Sequence, residues 1–222
     1  MLSIGLAIII FALIFMIIVL LAKTEASNKE ILVQGNVSER EAQATLKVFG
    51  CLPTKMQKSV KCVIVIRDEK HFVYSHNGKD YVAGGLYEGG GLITIWRKSF
   101  RRKVLWHEAA HSYVFCALDR EKFLSGWIEI AGNVYDSEDE KYENQPMREG
   151  MVTSYSRRNA VEDVAEWVQE CYAYLYFSDG SKSLLTQIDL KSDPRYRQKL
   201  DYLYQHGFFT KQDYEKLLPL FI

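Results

Sequence analysis

The 222-residue chain begins with an uninterrupted run of apolar or small residues. The 19 residues from Ile4 to Ala22 carry no charged side chain. As a helix rising about 1.5 Å per residue, this run would be roughly 28 Å long, close to the thickness of the hydrocarbon core of a bilayer. A signal-peptide core usually has only about 7–15 apolar residues and follows a basic segment, which Met1 to Ser3 do not supply. The pattern predicts a transmembrane anchor at residues 1–22, with a cleaved signal peptide as the alternative.

The pattern after this run predicts a tether and then a folded domain. Residues 23–37 are interpreted as a short polar tether. Ser38, with Glu41 three residues later, gives a capping-box signal, and the helix that it begins is predicted to end near Phe49. We therefore expect the domain to occupy residues 38–222.

Short runs rich in β-branched and aromatic residues predict four strands. The runs at Cys62–Ile66 and Leu92–Trp96 are typical of buried strands. The runs at 71–74 and 80–83 flank Asn77-Gly78, a strong signal for a two-residue hairpin turn. The segment after the first helix is therefore predicted to form a small sheet.

Helical periodicity dominates from Ser99 onward. One helix is predicted from Ser99 to about Leu118 and another from Asn159 to Phe177, separated by a polar, acidic loop at 135–149. Further helices are predicted to begin at Pro194, because proline fits the first turn of a helix, and after Thr210. The order of elements, one helix, a small sheet and then several helices, predicts an α+β fold.

The charge balance excludes one class of function. The chain has 28 basic and 28 acidic side chains, whereas sequence-independent binding of nucleic acid needs a basic face. We expect no nucleic-acid partner, and we interpret the basic run at 97–103 as a solvated approach to a helix. The four cysteines lack the paired spacing of a structural zinc site, and the sequence leaves open whether they form disulfides.

The segment His107-Glu108-Ala109-Ala110-His111 carries the clearest chemical signal. Two histidines four residues apart on a helix project from one face and can place two nitrogens on one zinc ion. Glu108 follows His107 directly and can reach a zinc-activated water as a general base. The segment predicts a zinc hydrolase site in which His107 and His111 are ligands.

A catalytic zinc needs a third protein ligand. A histidine six residues beyond His111 would complete one known pattern, but that position is Ala117. The predicted helix that follows Asn159 offers Glu162 and Glu166, of which one could bind the metal while the other hydrogen-bonds to a ligating imidazole. The alternative is that Asn159 and Glu162 form only a capping box.

The motifs together resemble a known family. The segment from His107 to His111, followed by Thr153-Ser154-Tyr155-Ser156-Arg157-Arg158-Asn159 and then by Glu162-Asp163-Val164-Ala165-Glu166, is similar to the catalytic domain of anthrax lethal factor and its relatives, among them the bacterial Pro-Pro endopeptidases. These are gluzincins, zinc peptidases with a zincin-like fold. The resemblance implies that Glu162 is the third ligand, that Tyr155 supports the oxyanion, and that Glu166 matches an acidic residue one turn beyond the ligand.

The expected function is therefore zinc-dependent hydrolysis of peptide bonds, with Zn²⁺ as the cofactor and a peptide or protein as the substrate. The glycine-rich segments at Gly84–Tyr87 and Gly89–Thr94 could form an edge strand that pairs with an extended substrate. Two alternatives stay open: a metallopeptidase-fold binding or sensor module without turnover, and a zinc hydrolase of a non-peptide amide.

Two signals disagree about the side of the membrane on which the domain lies. Lys23, Lys29 and Arg40 follow the apolar run and favour a cytoplasmic domain on the positive-inside rule. The resemblance implies the opposite, because the named relatives are exported proteases. We expect a single-pass protein with an extracytoplasmic domain, or a secreted one if the N-terminal segment is cleaved.

Overall fold

The computed structural model describes residues 31–76, 79–132, 134–135, 148–177 and 183–222. Residues Ile31–Ile222 form one compact unit. The predicted anchor, its bilayer contact through residues 4–22 and most of the predicted acidic loop lie outside the described residues. Within the described ranges, no helix is both long and apolar enough to cross a membrane.

A four-stranded sheet forms the first layer of the domain. Its strands are β1 (Leu32–Gly35), β2 (Cys62–Ile66), β5 (Gly85–Gly89) and β6 (Leu92–Trp96), in the order β1-β2-β6-β5. The first three strands in this order run parallel, and β5 is antiparallel to β6. The predictions of β2 and β6 are confirmed with the same bounds.

Strand β1 corrects the prediction of a tether at 23–37. Leu32 pairs with Cys62 and Val33 with Val63 in a parallel register, so this part of the predicted tether belongs to the sheet. The folded domain therefore begins near Ile31 and not at Ser38. A short edge strand depends on backbone hydrogen bonds with a partner strand, here thirty residues later in the chain. The polarity of residues 23–37 alone therefore could not predict this strand.

The alternation of burial along β2 indicates which face of the sheet is covered by helices. Val63 and Val65 on β2, with Ile93 and Ile95 on β6, are fully buried, while their neighbours Ile64 and Ile66 are half-buried. Successive residues of a strand point to opposite faces. The buried residues therefore mark the face on which the central helices pack.

A hairpin forms a second, two-stranded sheet. Strands β3 (Val73–His76) and β4 (Lys79–Val82) are antiparallel, with Val73 opposite Val82. The hairpin prediction is confirmed, with strand ends one or two residues away from those expected, whereas the turn at Asn77-Gly78 lies outside the described residues.

Seven α-helices accompany the sheet within the described ranges. They are α1 (Glu39–Gly50), α2 (Thr54–Ser59), α3 (Arg102–Ala117), α4 (Arg120–Ala131), α5 (Ala160–Tyr176), α6 (Pro194–Gln205) and α7 (Lys211–Leu217). Ser38 caps α1 and Thr210 caps α7 through complete capping boxes, and Pro194 begins α6, as predicted. The fold class is α+β, as expected from the sequence.

Helix α3 lies at the centre of the domain. Residues Leu105–Val114 are all buried, and a helix that is buried on every side is a core element. Trp106 Nε1 donates to the carbonyl of Val48 on α1, and Ser112 Oγ donates to the carbonyl of Ser59 on α2. These bonds hold α3 in a fixed rotation, and that rotation decides where its histidines point.

The basic run before α3 is solvated only in part. Lys98, Arg101 and Arg102 are exposed, which confirms the prediction for these residues. Arg97, however, lies 2.6 Å from Glu41 on α1, and Lys103 lies 2.7 Å from the buried Glu170 on α5. The run therefore anchors α3 to two other helices as well as facing water.

Candidate metal centre and active-site cleft

A ladder of side chains joins α3 to α5. On each helix the participating residues are four apart, so they share one face. Their numbers rise along α3 while those of their partners fall along α5, which means that the two helices run antiparallel. We call these pairs the ladder, and its rungs are Lys103–Glu170, His107–Glu166 and His111–Glu162.

The three predicted metal ligands meet at one end of the ladder. His107 Nε2 lies 3.0 Å from His111 Nε2 and 3.1 Å from Glu162 Oε2, and His111 Nε2 lies 3.3 Å from the same oxygen. Ligands at about 2.0–2.1 Å around a tetrahedral zinc ion are roughly 3.3–3.4 Å apart. The donor triangle is therefore close to the size that zinc requires, and its chemistry, two imidazoles and a carboxylate, is one that zinc accepts.

Glu166 determines which nitrogen of His107 can bind a metal. Its Oε1 lies 2.9 Å from His107 Nδ1, so the proton of a neutral imidazole is held on Nδ1. The lone pair of Nε2 then faces the donor triangle, as a ligating histidine requires. The two acids of α5 thus lie where the sequence predicted, Glu162 in the triangle and Glu166 behind the imidazole.

Burial and charge act on these groups in opposite directions. Burial lowers the pKa of His107, but hydrogen bonds with Glu162 and Glu166 outweigh it and hold that pKa well above its usual value. Burial raises the pKa of Glu162, and contacts with both histidines outweigh it and hold that pKa well below its usual range. The cluster therefore favours a positive charge among its carboxylates, which either a proton or a divalent cation can supply.

Glu108 lies between the donor triangle and strand β5. It is only 5% exposed, and burial is the main cause that raises the pKa of its carboxyl, against the lowering effect of His107 and His111. A Cβ on Gly85 would lie 3.0 Å from Oε1 of Glu108 and 2.8 Å from Cδ1 of Ile95. A side chain at position 85 would therefore force Glu108 and Ile95 to shift, which would disturb the position of the Glu108 carboxyl.

Tyr155 reaches the same site from a short 3₁₀ turn, Tyr155–Arg157, just before α5. Its ring centroid lies 6.2 Å from that of His107, and it lines the cleft beside the two histidines and Glu108. The structure therefore brings together all six residues that the sequence singled out: His107, Glu108, His111, Tyr155, Glu162 and Glu166.

The alternative in which Asn159 and Glu162 form only a capping box is wrong for the side chain of Glu162. Asn159 Oδ1 does cap α5, accepting from the backbone N–H groups of Val161 and Glu162 at 3.0 and 2.9 Å. The carboxylate of Glu162, however, faces His107 and His111. The cap fixes the first turn of α5 and so places Glu162 against the histidines.

The site opens into a cleft of about 850 Å³. One wall is the segment Val82–Tyr87, and Phe115, which also lines the cleft and is 39% exposed, stacks on Tyr87 with ring centroids 5.4 Å apart. Phe115 lies one helical turn beyond His111. A large apolar side chain of a ligand would therefore find an aromatic surface next to the donor triangle.

The sheet topology corrects part of the predicted substrate segment. Strand β6 pairs with β2 on one side and β5 on the other, so Leu92–Thr94 has both edges in use and cannot accept a peptide. Gly89–Gly91 forms the turn before it, with positive φ at each residue. Among the described strands it is β5, which begins at Gly85, that lies at the edge of the sheet beside the cleft.

Two features of the site were missed by the sequence analysis. Arg158 Nη1 donates to the hydroxyl oxygen of Tyr155 at 2.7 Å and lies 3.6 Å from Oε1 of Glu162. Its position four residues before Glu162 was a signal for this contact. The second is a fully buried ion pair, Lys199 Nζ to Asp163 Oδ2 at 2.6 Å, which no local pattern could have indicated because its partners lie on α6 and α5.

The buried pair fixes the helix that carries the third ligand. Asp163 Oδ2 also accepts from Trp127 Nε1 at 2.9 Å and from the Tyr135 hydroxyl at 3.0 Å, and Lys199 Nζ donates to the carbonyl of Gly150 at 2.7 Å. These bonds connect α5 to α4, α6 and the segment before Tyr155. The first turn of α5 is therefore held from behind while Glu162 faces the cleft.

Comparisons with known proteins agree with this architecture at the level of the fold. No family model matches the sequence, and no curated protein matches it either. A crystal structure from Bacteroides caccae, of a protein provisionally described as a zinc-binding metallo-peptidase, is similar at a TM-score of 0.50 and 15% identity over 87% of this chain and 85% of that one. At this identity the similarity concerns the fold, and the closer resemblance to lethal factor stays a prediction from the motifs. The chain has a metallopeptidase-like fold.

Proposed function

We propose that this protein is a zinc-dependent endopeptidase. The observation that carries the proposal is the donor triangle of His107, His111 and Glu162, with edges of 3.0–3.3 Å, next to the buried carboxyl of Glu108. The metallopeptidase-like fold and the motif spacing support the same reading. Three protein ligands leave one position for water or substrate, which is the arrangement of catalytic rather than structural zinc.

The residues of the cleft divide the chemistry among them. Zinc, when bound, acts as a Lewis acid that lowers the pKa of water and polarises a carbonyl. Glu108 takes the proton of the attacking water and later delivers it to the leaving amine, a role that suits a carboxyl whose pKa is raised by burial. Tyr155 donates a hydrogen bond to the carbonyl oxygen as negative charge develops there, and loss of such a donor typically slows turnover ~10²–10³-fold.

Strand β5 is the proposed guide for the substrate. An extended peptide can add to its outer edge through backbone hydrogen bonds. Gly85 brings the backbone of this strand close to Glu108, so a peptide on β5 would pass near the general base. An apolar side chain of that peptide would reach Phe115 and Tyr87.

The test is digestion of a peptide library by the zinc-loaded full chain, with products identified by mass spectrometry. Glu108→Gln should keep its zinc and its fold while turnover falls ~10²–10⁴-fold, because the variant removes the proton acceptor and no ligand. Equal activity of variant and parent would show that Glu108 is not the base.

The two alternatives predict different outcomes of the same experiment. A hydrolase of non-peptide amides would leave the library intact and cleave an amide of another class in a parallel panel. A binding or sensor module would bind zinc and cleave neither. Cleavage of peptides that disappears on chelation and in Glu108→Gln supports the endopeptidase over both.

A further inference from the structure

The geometry points to Arg158 as a positioning residue that aims the hydroxyl of Tyr155 at the reacting carbonyl. The inference rests on the proposed function and adds a residue to it. Among the described residues that line the cleft, Arg158 is the only lysine or arginine; the other charged ones are Glu108, Glu162 and Glu166, beside the two histidines. A permanent positive charge therefore stands at one point of an otherwise acidic site.

Arg158 holds Tyr155 in two ways. Its Nη1 donates to the hydroxyl oxygen at 2.7 Å, and its guanidinium carbon lies 5.7 Å from the ring centroid of the same tyrosine. The residues are three apart, spanning the 3₁₀ turn and the approach to α5. Both contacts restrict the rotation of a side chain that the turn alone would hold loosely.

The direction of the hydrogen bond matters for the chemistry. A guanidinium can only donate, so the tyrosine oxygen is the acceptor in this bond and its own proton points elsewhere. A phenol oxygen that accepts a hydrogen bond from a cation also makes its own O–H group a stronger donor. The positive charge draws electron density towards the oxygen and leaves the hydrogen more positive. Arg158 thus both orients and strengthens the donor that is proposed for the oxyanion.

The contact of Arg158 with Glu162 is weaker than its hydrogen bond to Tyr155. Nη1 lies 3.6 Å from Oε1 of Glu162, beyond hydrogen-bonding distance, whereas the histidines contact the other oxygen, Oε2, at 3.1 and 3.3 Å. The side chain of Arg158 is also 35% exposed, so water screens its charge. We therefore expect its main effect on Tyr155 and little effect on zinc affinity.

A double-mutant cycle tests the inference. Arg158→Gln should lower kcat ~10–100-fold in the parent, less than the loss of a whole oxyanion donor, with KM and zinc content nearly unchanged. In a Tyr155→Phe background the same substitution should change kcat less than ~3-fold, because the hydroxyl on which it acts is gone. Arg158→Lys, which keeps the charge, should recover part of the rate, and Lys98→Gln, an exposed cation outside the cleft, should have no effect.

Binding of acetohydroxamate, measured by calorimetry on the zinc-loaded protein, gives a second readout that needs no substrate. This small chelator places an oxygen near the donor triangle, and Arg158→Gln should weaken its binding only when Tyr155 is present. Additive effects in both cycles, or a loss of zinc in Arg158→Gln, would overturn the inference, since Arg158 would then act on Glu162 or on the charge of the cleft. A parent that binds the chelator but cleaves no peptide would refute the proposed function and leave this cycle decisive.

Discussion

Glu162 and Asp163 are neighbours on α5, yet their carboxylates lie in opposite electrostatic surroundings. Asp163 is fully buried and has its own cation, Lys199, at 2.6 Å. Glu162 faces two imidazoles at 3.1 and 3.3 Å, and the guanidinium of Arg158 lies 3.6 Å from its other oxygen. One carboxylate is neutralised within the fold, and the other is held ready for a cation from outside.

The difference separates a structural acid from a functional one. Successive residues of a helix point about 100° apart, so α5 can direct Asp163 into the core and Glu162 into the cleft. Removing one partner of a buried carboxylate–lysine pair is strongly destabilising, because the other charge is left buried and unpaired. Oε2 of Glu162 meets the two imidazoles, and a proton or a metal ion between these groups would complete their surroundings. Hydrogen bonds with Glu162 and Glu166 hold the pKa of His107 well above its usual value for the same reason.

The largest effect should come from breaking the structural pair. Asp163→Ala leaves Lys199 buried without a counter-charge and should lower the free energy of unfolding by about 3–5 kcal/mol, as measured by urea denaturation. The folded fraction should still bind one zinc ion. The double variant Asp163→Ala with Lys199→Met should recover most of the loss. A single variant as stable as the parent would mean that the two carboxylates do not differ as described.

The next effect concerns the functional acid. Glu162→Ala should leave the fold intact while zinc affinity falls by more than the ~100-fold that marks the upper range for residues behind a ligand. Competition with a chromogenic chelator measures the affinity. Zinc binding equal to that of the parent would place the third ligand elsewhere.

A smaller effect on zinc affinity is expected from Glu166, which contacts Nδ1 of the His107 imidazole. Glu166→Gln should lower zinc affinity ~10–100-fold, because the Nδ1 proton of His107 loses its carboxylate acceptor. Glu170→Gln is the matched control, since it lies one turn further along the same face of α5 but is paired with Lys103. The role assigned to Glu166 fails if the two variants bind zinc equally well or if their order is reversed.

The smallest effect should come from a carboxylate at the surface. A backbone hydrogen bond from Ser38 is the largest cause, ahead of the Arg97 side chain, that lowers the pKa of Glu41 to about 2. Its folded-state pKa is below its unfolded one, so its contribution to stability is present above the unfolded value of 4.5 and is lost as pH falls towards about 2. The pH dependence of the unfolding free energy between pH 5 and roughly pH 2 should be flatter in Glu41→Gln than in the parent. Glu39→Gln is the control, and an identical flattening there would contradict the assignment.

Much of the site could be predicted because its signals are local. The spacing of His107 and His111, the cap at Asn159 and the two acids of α5 each depend on a few consecutive residues. The starts of α1, α6 and α7 were equally accessible through their first-turn signals. The ladder could not be predicted as a whole, because nothing local shows that Lys103 meets Glu170 across two helices.

The parts that were missed depend on distant partners. Strand β1 exists because β2 is beside it, and the Lys199–Asp163 pair exists because α6 lies behind α5. Helix α4 was not placed, although Asp119 caps it by accepting from the backbone N–H of Lys122. The interior position of β6, which closes Leu92–Thr94 to a substrate, follows from sheet order, and a single sequence does not reveal that order.

Because the ladder residues are four apart, the ladder restricts the number of residues in α3 and α5 as well as their identity. One inserted residue between Lys103 and His111 would turn everything beyond it by about 100° around the axis of α3, and an insertion between Glu162 and Glu170 would do the same on α5. A substitution removes one rung, whereas an insertion takes the remaining rungs out of register together. Chains that keep this chemistry are therefore free to differ in length in their loops, while these two nine-residue stretches must keep their residue count.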